Sequence, residues 1–218
     1  MSTTSVGDGR IDAIAFDWGG VFTEGTFDGR AVVALADLVG LAETTVAESY
    51  YPLMKDFEVG AFDLGEFTRR LQAELASDVD PAELQATFLG AARERPAMYA
   101  VLAGIPATYT VGMLSNNVPT LCDRVRSDPR MARVERFVFS NEIGVRKPDS
   151  AAFAALSEAL GVAPEATLFI DDNADNIAAC RALGFEGLLL DSAAGFARAW
   201  RAILPELGEL VDGPDWAR

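Results

Sequence analysis

The chain has 218 residues, 50% of them hydrophobic, with a formal net charge of −15, two cysteines and no histidine. That length and apolar content suit one large domain, or one domain carrying an insert. The charge excludes a nucleic-acid binder and disfavours anionic membrane surfaces, which need clustered Lys and Arg, and the missing imidazole excludes histidine triads, histidine metal sites and histidine general bases.

In chain order, the first ten residues, MSTTSVGDGR, lack the basic and apolar regions of a secretory signal. Together with the absence of a charge-free apolar run of about eighteen residues, they lead us to expect a cytoplasmic protein without a membrane span. The run IDAIAFD over residues 11–17 reads as a buried strand ending in a carboxylate. Residues 24 to about 94 then show helical periodicity: helices over 30–40 and 43–57, a capping-box start at Asp63 with Glu66, and a start at Asp80 with Pro81 in the first turn.

From residue 96 the pattern alternates. Helices are predicted over 96–105, 118–128, 148–161, 174–184 and 193–204, and strands over 108–115, 136–140, 167–171 and 186–190. Short apolar strands alternating with helices of ten or more residues predict an α/β fold, a doubly wound parallel sheet, here with a helical segment inserted after the first strand. The expected division is a core of residues 1–23 and 95–218 and an insert of residues 24–94. The tail GPDWAR reads as a surface appendage, and Cys122 and Cys180 read as small apolar packing groups rather than a disulfide.

Ligands of such a sheet bind beyond the carboxyl ends of its strands, so the residues at those ends matter most. They are Asp17; Ser115, Asn116 and Asn117; Lys147 in the loop VRKPD; and Asp171 and Asp172, with Asn176 following. Taken singly, each has a local explanation: Asp17 as a turn residue, Ser115 and Asn116 as helix caps, Asp172 or Asn173 as the cap of the helix from Ala174. Taken together, three carboxylates at adjacent strand ends repel one another unless a cation lies between them, and Mg²⁺ suits an oxygen-only site next to a phosphate. The chain has sixteen arginines and two lysines, so a lysine at 147 suggests that a compact ammonium is wanted there. These parts suit attack by a carboxylate on a phosphoryl group.

The stretches AFDWGGVF, MLSNN, RKPD and FIDDNADNI resemble, in order and spacing, the four motifs of the haloacid dehalogenase superfamily. The helical segment resembles that superfamily's small α-helical cap, and within the subclass the sequence looks most like sugar-phosphate phosphatases. The resemblance implies a Mg²⁺-dependent phosphatase for a small phosphorylated metabolite, working through an aspartyl-phosphate as a monomer or dimer without nucleic-acid or membrane partners. It implies Asp17 as nucleophile and metal ligand, Gly19 as a carbonyl ligand, and Ser115 and Asn116 as phosphate-binding residues. Lys147 would hold nucleophile and phosphate, Asp172 would bind the metal directly, Asp171 through water, and Asn176 would support them.

One position departs from the pattern. Family phosphatases carry a second aspartate where this chain has Gly19, and that aspartate moves the proton of the leaving group. General acid–base catalysis contributes about 10²–10⁴-fold, so its loss slows poor leaving groups most. Glu24 or a residue of the insert is a candidate to substitute, with nothing in the sequence to select one; the alternative is a weak or inactive binding or regulatory relative. A dehalogenase fits less well, because it needs no paired carboxylates in the last motif. Between residues 24 and 90 there are thirteen acidic and four basic side chains, a field that favours a neutral body bearing one phosphate.

Overall fold

The computed structural model describes residues 10–216. Five strands form one parallel sheet in the order β3-β2-β1-β4-β5: β1 (Ala13–Phe16), β2 (Thr110–Ser115), β3 (Arg136–Phe139), β4 (Thr167–Asp171) and β5 (Glu186–Leu189). β1 lies in the centre, its Phe16 level with Met113 of β2 and Ile170 of β4. Ala13 and Ala15 face one core layer while Ile14 and Phe16 face the other. Burial on both faces is why β1 reads as an unbroken apolar run.

Between β1 and β2 come α1 (Phe27–Val39), α2 (Glu43–Phe57), α3 (Leu64–Leu75) and α4 (Pro81–Gly90), followed by α5 (Pro96–Gly104). α2 packs on α3, and α1 on α4 and α2. A cluster of buried aromatic rings joins them: Phe27 meets Phe88 at 5.3 Å, and Phe67 meets Phe57 at 4.9 Å, Phe88 at 5.1 Å and Tyr50 at 5.9 Å between centroids. Asp63 and Asp80 cap α3 and α4 as expected, accepting from Glu66 N and Ala82 N. The capping box is only half made, because the Glu66 carboxylate turns to Arg69 and Arg70.

The second half follows the predicted alternation: α6 (Pro119–Ser127), α7 (Ser140–Ile143), α8 (Ser150–Leu160), α9 (Ala174–Ala182) and α10 (Ala193–Ile203). α8 covers β2 and β3, while α9 covers β4 and β5. Element ends differ from expectation by a few residues, and one difference matters for the site. The third strand stops at Phe139 instead of 140, because Ser140 opens the one-turn helix α7, closed by Gly144 at φ 72°.

The tail is not an appendage. Trp216 is buried, 4.9 Å from Phe196, and Trp200 Nε1 donates to Leu207 O at 2.9 Å. The apolar face of α10 needs a cover, and the end of the chain provides it. Most of the opening segment and residues 217 and 218 lie outside the described residues. Both cysteines are free and buried, as expected. Among the described residues no helix is long and apolar enough to cross a membrane.

Candidate active site

Asp17 stands one residue past the end of β1. Its backbone N donates to Ile170 O at 2.8 Å, and its Oδ1 accepts from Trp18 N at 2.7 Å. Lys147, in the loop between α7 and α8, is 1% exposed, with Nζ 2.6 Å from Asp171 Oδ2 and 3.0 Å from Asp17 Oδ1. Asn116 holds that lysine by its main chain: Oδ1 accepts from Lys147 N at 2.8 Å, and Nδ2 donates to Lys147 O at 3.0 Å. The sequence-level expectation gave Asn116 to the phosphate, but its amide is engaged here. Ser115 is buried at the end of β2, next in the chain to Asn116 and Asn117, which line the cleft.

Asp171 is fully buried and accepts from Asn173 N at 2.8 Å and Asn176 Nδ2 at 3.0 Å, besides meeting the lysine. Asn173, not Asp172, caps α9, accepting from Asp175 N and Asn176 N. Asp172 is therefore released from the local role it might have had, and lines the cleft beside Asp17. Asp17, Asp171 and Asp172 each offer an oxygen within 4.8 Å of the others.

The electrostatics of this cluster follow from burial. Burial pushes the Asp17 carboxyl up to about 7; Lys147 offsets part of that and the charges of Asp171 and Asp172 add to it. Asp172 is pushed up to about 6, again by burial first and by Asp171 second. Burial pulls the Lys147 ammonium down, but Asp17 and Asp171 outweigh it and hold it above its ordinary value. One buried cation thus serves three carboxylates, a set still short of positive charge. Oxygen-only donors with this deficit fit a hard divalent cation.

The two glycines after Trp18 have separate roles. Gly20 has φ 73°, and a Cβ there would lie 1.8 Å from Asp172 Oδ2, so the loop passes the carboxylate as bare backbone. Gly19 has room: the nearest atom to a Cβ would be Phe27 Cβ at 3.9 Å. Thr23 accepts from Gly20 N at 2.8 Å, and Arg95 donates to the carbonyls of Gly20, Val21 and Thr23 at 3.0–3.2 Å. The loop is thus pinned from the return crossing of the chain, where Thr23 also bridges Glu94.

The cleft encloses about 650 Å³, the space at its mouth included, between the sheet end and the helical insert. From the insert come Phe27, Asp28, Met54 and Glu58, and from the sheet side Asn117 and Arg146. Tyr50 Oη donates to Asp28 Oδ1 at 2.7 Å. Arg146 meets Glu58 Oε2 at 2.6 Å, out of line for a hydrogen bond. Asn117 Nδ2, Arg146 Nε and Glu58 Oε2 are all buried without a hydrogen-bond partner. Glu24, a candidate substitute acid from the sequence, pairs with Arg93 and lines a different recess with Trp216. Asp28, Glu58, Arg146 and Gly20 were not singled out from the sequence. Gly20 left a mark there as the second member of a glycine pair, and Arg146 as the neighbour of Lys147 in the RKPD stretch.

A family model for haloacid dehalogenase-like hydrolases matches residues 11–184. The chain belongs to that family. The match takes in β1 to β4 with the site residues at their ends and the whole helical insert. Among similar proteins, D-ribitol-5-phosphate phosphatase of Bacteroides thetaiotaomicron is 28% identical over 207 residues, covering 89% of this chain and 98% of its own. Phosphatase MT3486 of Mycobacterium tuberculosis is 29% identical over 216 residues, covering 93% and 98%. The fold is shared with a haloacid dehalogenase family enzyme from Bacteroides thetaiotaomicron crystallised with magnesium and inorganic phosphate, at TM-score 0.69 and 20% identity over 82% of this chain and 93% of that one.

Proposed function

We propose that this haloacid dehalogenase-like hydrolase is a Mg²⁺-dependent phosphatase for a small phosphorylated metabolite with a neutral, hydroxyl-rich body, such as a sugar or polyol phosphate. The observation that carries the reading is the grouping of Asp17, Asp171 and Asp172 around the buried Lys147 ammonium. The two phosphatase relatives support it, as does the acidic insert over the cleft.

In this reading Asp17, aimed by the rigid end of β1, attacks phosphorus, and the bond to the leaving-group oxygen breaks. Water then attacks the aspartyl-phosphate and frees Asp17. Lys147 orients Asp17 and neutralises charge on the phosphoryl oxygens, and Ser115 and backbone N–H groups at the end of β2 receive another oxygen. Asp17, Asp172 and the Gly19 carbonyl would hold Mg²⁺, with Asp171 behind them, and the bound ion would offset phosphoryl charge. Residues 24–94 act as a cap over the core formed by the segments up to residue 23 and from residue 95, excluding water and choosing the substrate body.

A phosphatase assay on sugar and polyol phosphates, with Mg²⁺ and with a chelator, tests the reading. The expected outcome is hydrolysis that needs Mg²⁺ and is abolished by Asp17→Asn. Turnover that survives Asp17→Asn removes the nucleophile assignment, and turnover indifferent to chelation removes the metal. Gly19 favours one second reading, a binding protein that holds phosphate esters but turns them over slowly. Ligand binding without hydrolysis under any of these conditions would select it.

A further inference from the structure

With glycine at position 19, the proton for the leaving group has to come from elsewhere in the cleft. A side chain starting at Gly19 would first meet Phe27 Cβ, at 3.9 Å. The next residue along, Asp28, lines the same cleft as Asp17 and Gly19 from the first turn of α1. Positions 19 and 28 therefore border one cleft, the first from the sheet end and the second from the insert.

Asp28 is also held as a proton donor has to be. Tyr50, wholly buried in the aromatic cluster of the insert, donates to its Oδ1 at 2.7 Å and so fixes the rotamer. That hydrogen bond leaves Oδ2 free of this partner. Besides Tyr50, the groups whose charge Asp28 feels or affects are Tyr51 on α2, Glu58 just past its end and Arg146 from the loop before Lys147. Arg146 lies against Glu58, at 2.6 Å, so its charge is directed first to that carboxylate. Burial raises the Asp28 carboxyl above its ordinary range, with Tyr50 and Arg146 opposing in part. A second feature is a set of buried polar atoms on the two sides of the same cleft. The Glu58 side chain is 5% exposed, and its Oε2 has no hydrogen-bond partner, nor do Arg146 Nε and Asn117 Nδ2 beside the same cleft. Buried polar atoms are normally paired; Glu58 Oε2 has its ion pair with Arg146, whereas Arg146 Nε and Asn117 Nδ2 on the sheet side are donors left over, which suits an oxygen-bearing group such as a hydroxyl.

We propose that Asp28 is the general acid and base of this enzyme, standing in from the insert for the carboxyl that Gly19 lacks, while Glu58, Arg146 and Asn117 receive the hydroxyls of the departing alcohol. The proposal rests on the phosphatase reading above. In the first step Asp17 forms a bond to phosphorus as the bond from phosphorus to the leaving oxygen breaks. The Asp28 proton passes to that oxygen, giving an alcohol, an aspartyl-phosphate and the Asp28 carboxylate. In the second step the Asp28 carboxylate takes a proton from water as its oxygen attacks phosphorus. That releases phosphate, frees Asp17 and leaves Asp28 protonated again. Tyr50 is a positioning residue, acting through Asp28.

The test compares two esters of opposite demand: an alkyl phosphate, whose alkoxide leaves poorly, and p-nitrophenyl phosphate, whose phenolate leaves without help. Asp28→Asn keeps the shape and the bond from Tyr50, and it should lower kcat/KM on the alkyl ester by about 10²-fold more than on the aryl ester. Gly19→Asp added to Asp28→Asn should restore most of the alkyl rate. In a protein with an unaltered insert, Gly19→Asp alone should raise the ratio of alkyl to aryl rates only a few-fold, because a donor is already present.

Equal losses on both esters in Asp28→Asn, or no loss, overturn the assignment of Asp28 and leave the phosphatase reading standing. A gain of about 10²-fold on the alkyl ester from Gly19→Asp alone overturns it too, and this arm does not depend on the folding of an Asp28 variant. A wild-type protein that hydrolyses neither ester overturns both readings.

Discussion

Gly19 and Gly20 are neighbours with opposite tolerances. Gly20 takes a left-handed φ of 73°, and any side chain there would occupy the place of the Asp172 carboxylate. Gly20→Ala is therefore expected to displace Asp172 and to weaken Mg²⁺ binding, read by calorimetry, by about 10–100-fold, the usual loss when a ligand's support is disturbed. Gly19→Ala meets only Phe27 Cβ at ordinary contact distance and should bind Mg²⁺ as the wild type does. The sequence shows two equal glycines. The backbone angle and the approach of the Asp172 carboxylate distinguish them, and both are properties of the folded chain. Lys147 is the contrasting case, legible from its rarity beside sixteen arginines. The structure gives the reason: its ammonium bridges two buried carboxylates with 1% exposure.

At the scale of elements, β1 and the helical insert carry the cleft's two walls. β1 is sheathed on both faces and flanked by two parallel partners, so the position of Asp17 at its end is rigid. The insert is held by its own aromatic cluster, in which Phe67 lies within 6 Å of Phe57, Phe88 and Tyr50. Truncating a fully buried ring leaves a cavity, so Phe67→Ala should lower unfolding stability by about 3–5 kcal/mol, measured by denaturant titration. Because Tyr50 belongs to the same cluster and holds Asp28, the variant should also lose activity on alkyl phosphates at temperatures where it is still folded. The helices themselves were legible: α2 runs Glu43–Phe57 as its periodicity implies, and Asp63 and Asp80 cap the next two. The reciprocal half of the capping box was not, since Glu66 has two arginines in reach on its own helix.

For the whole molecule, the acidic charge and the buried carboxylates set a pH dependence. Asp17, Asp172 and Glu58 are pushed up from the ordinary carboxylate range to about 7, 6 and 8, in each case by burial first. In the window between the ordinary and the raised values the native state binds more protons than the unfolded one. Stability therefore falls as pH rises through that window, from about 4 to 8, and levels off above it. Metal-free protein should show a melting temperature that drops across this range. Saturating Mg²⁺ should remove most of the drop, because it binds the ionised carboxylates of the native state alone. A flat profile without metal would show that Lys147 already balances the cluster.

By itself, the sequence determined the alternation of strands and helices, the helical insert after the first strand and the set of groups at the strand ends. These depend on local periodicity, on caps and on the rule that a parallel sheet collects its ligands at one edge. Asp17, Lys147, Asp171 and Asp172 were predicted to lie together at the strand ends, and the fold groups them there. The tertiary structure alone decided which groups meet across the cleft and which face away. Asn116 bonds the main chain of Lys147, Glu24 turns to Arg93, Trp216 folds back onto Phe196, and Asp28, Glu58 and Arg146 come together from three separate stretches. The reason is physical. A strand end is placed by hydrogen bonds to its immediate neighbours, whereas a meeting between insert and sheet depends on long-range packing in the core they share, and no local pattern encodes that.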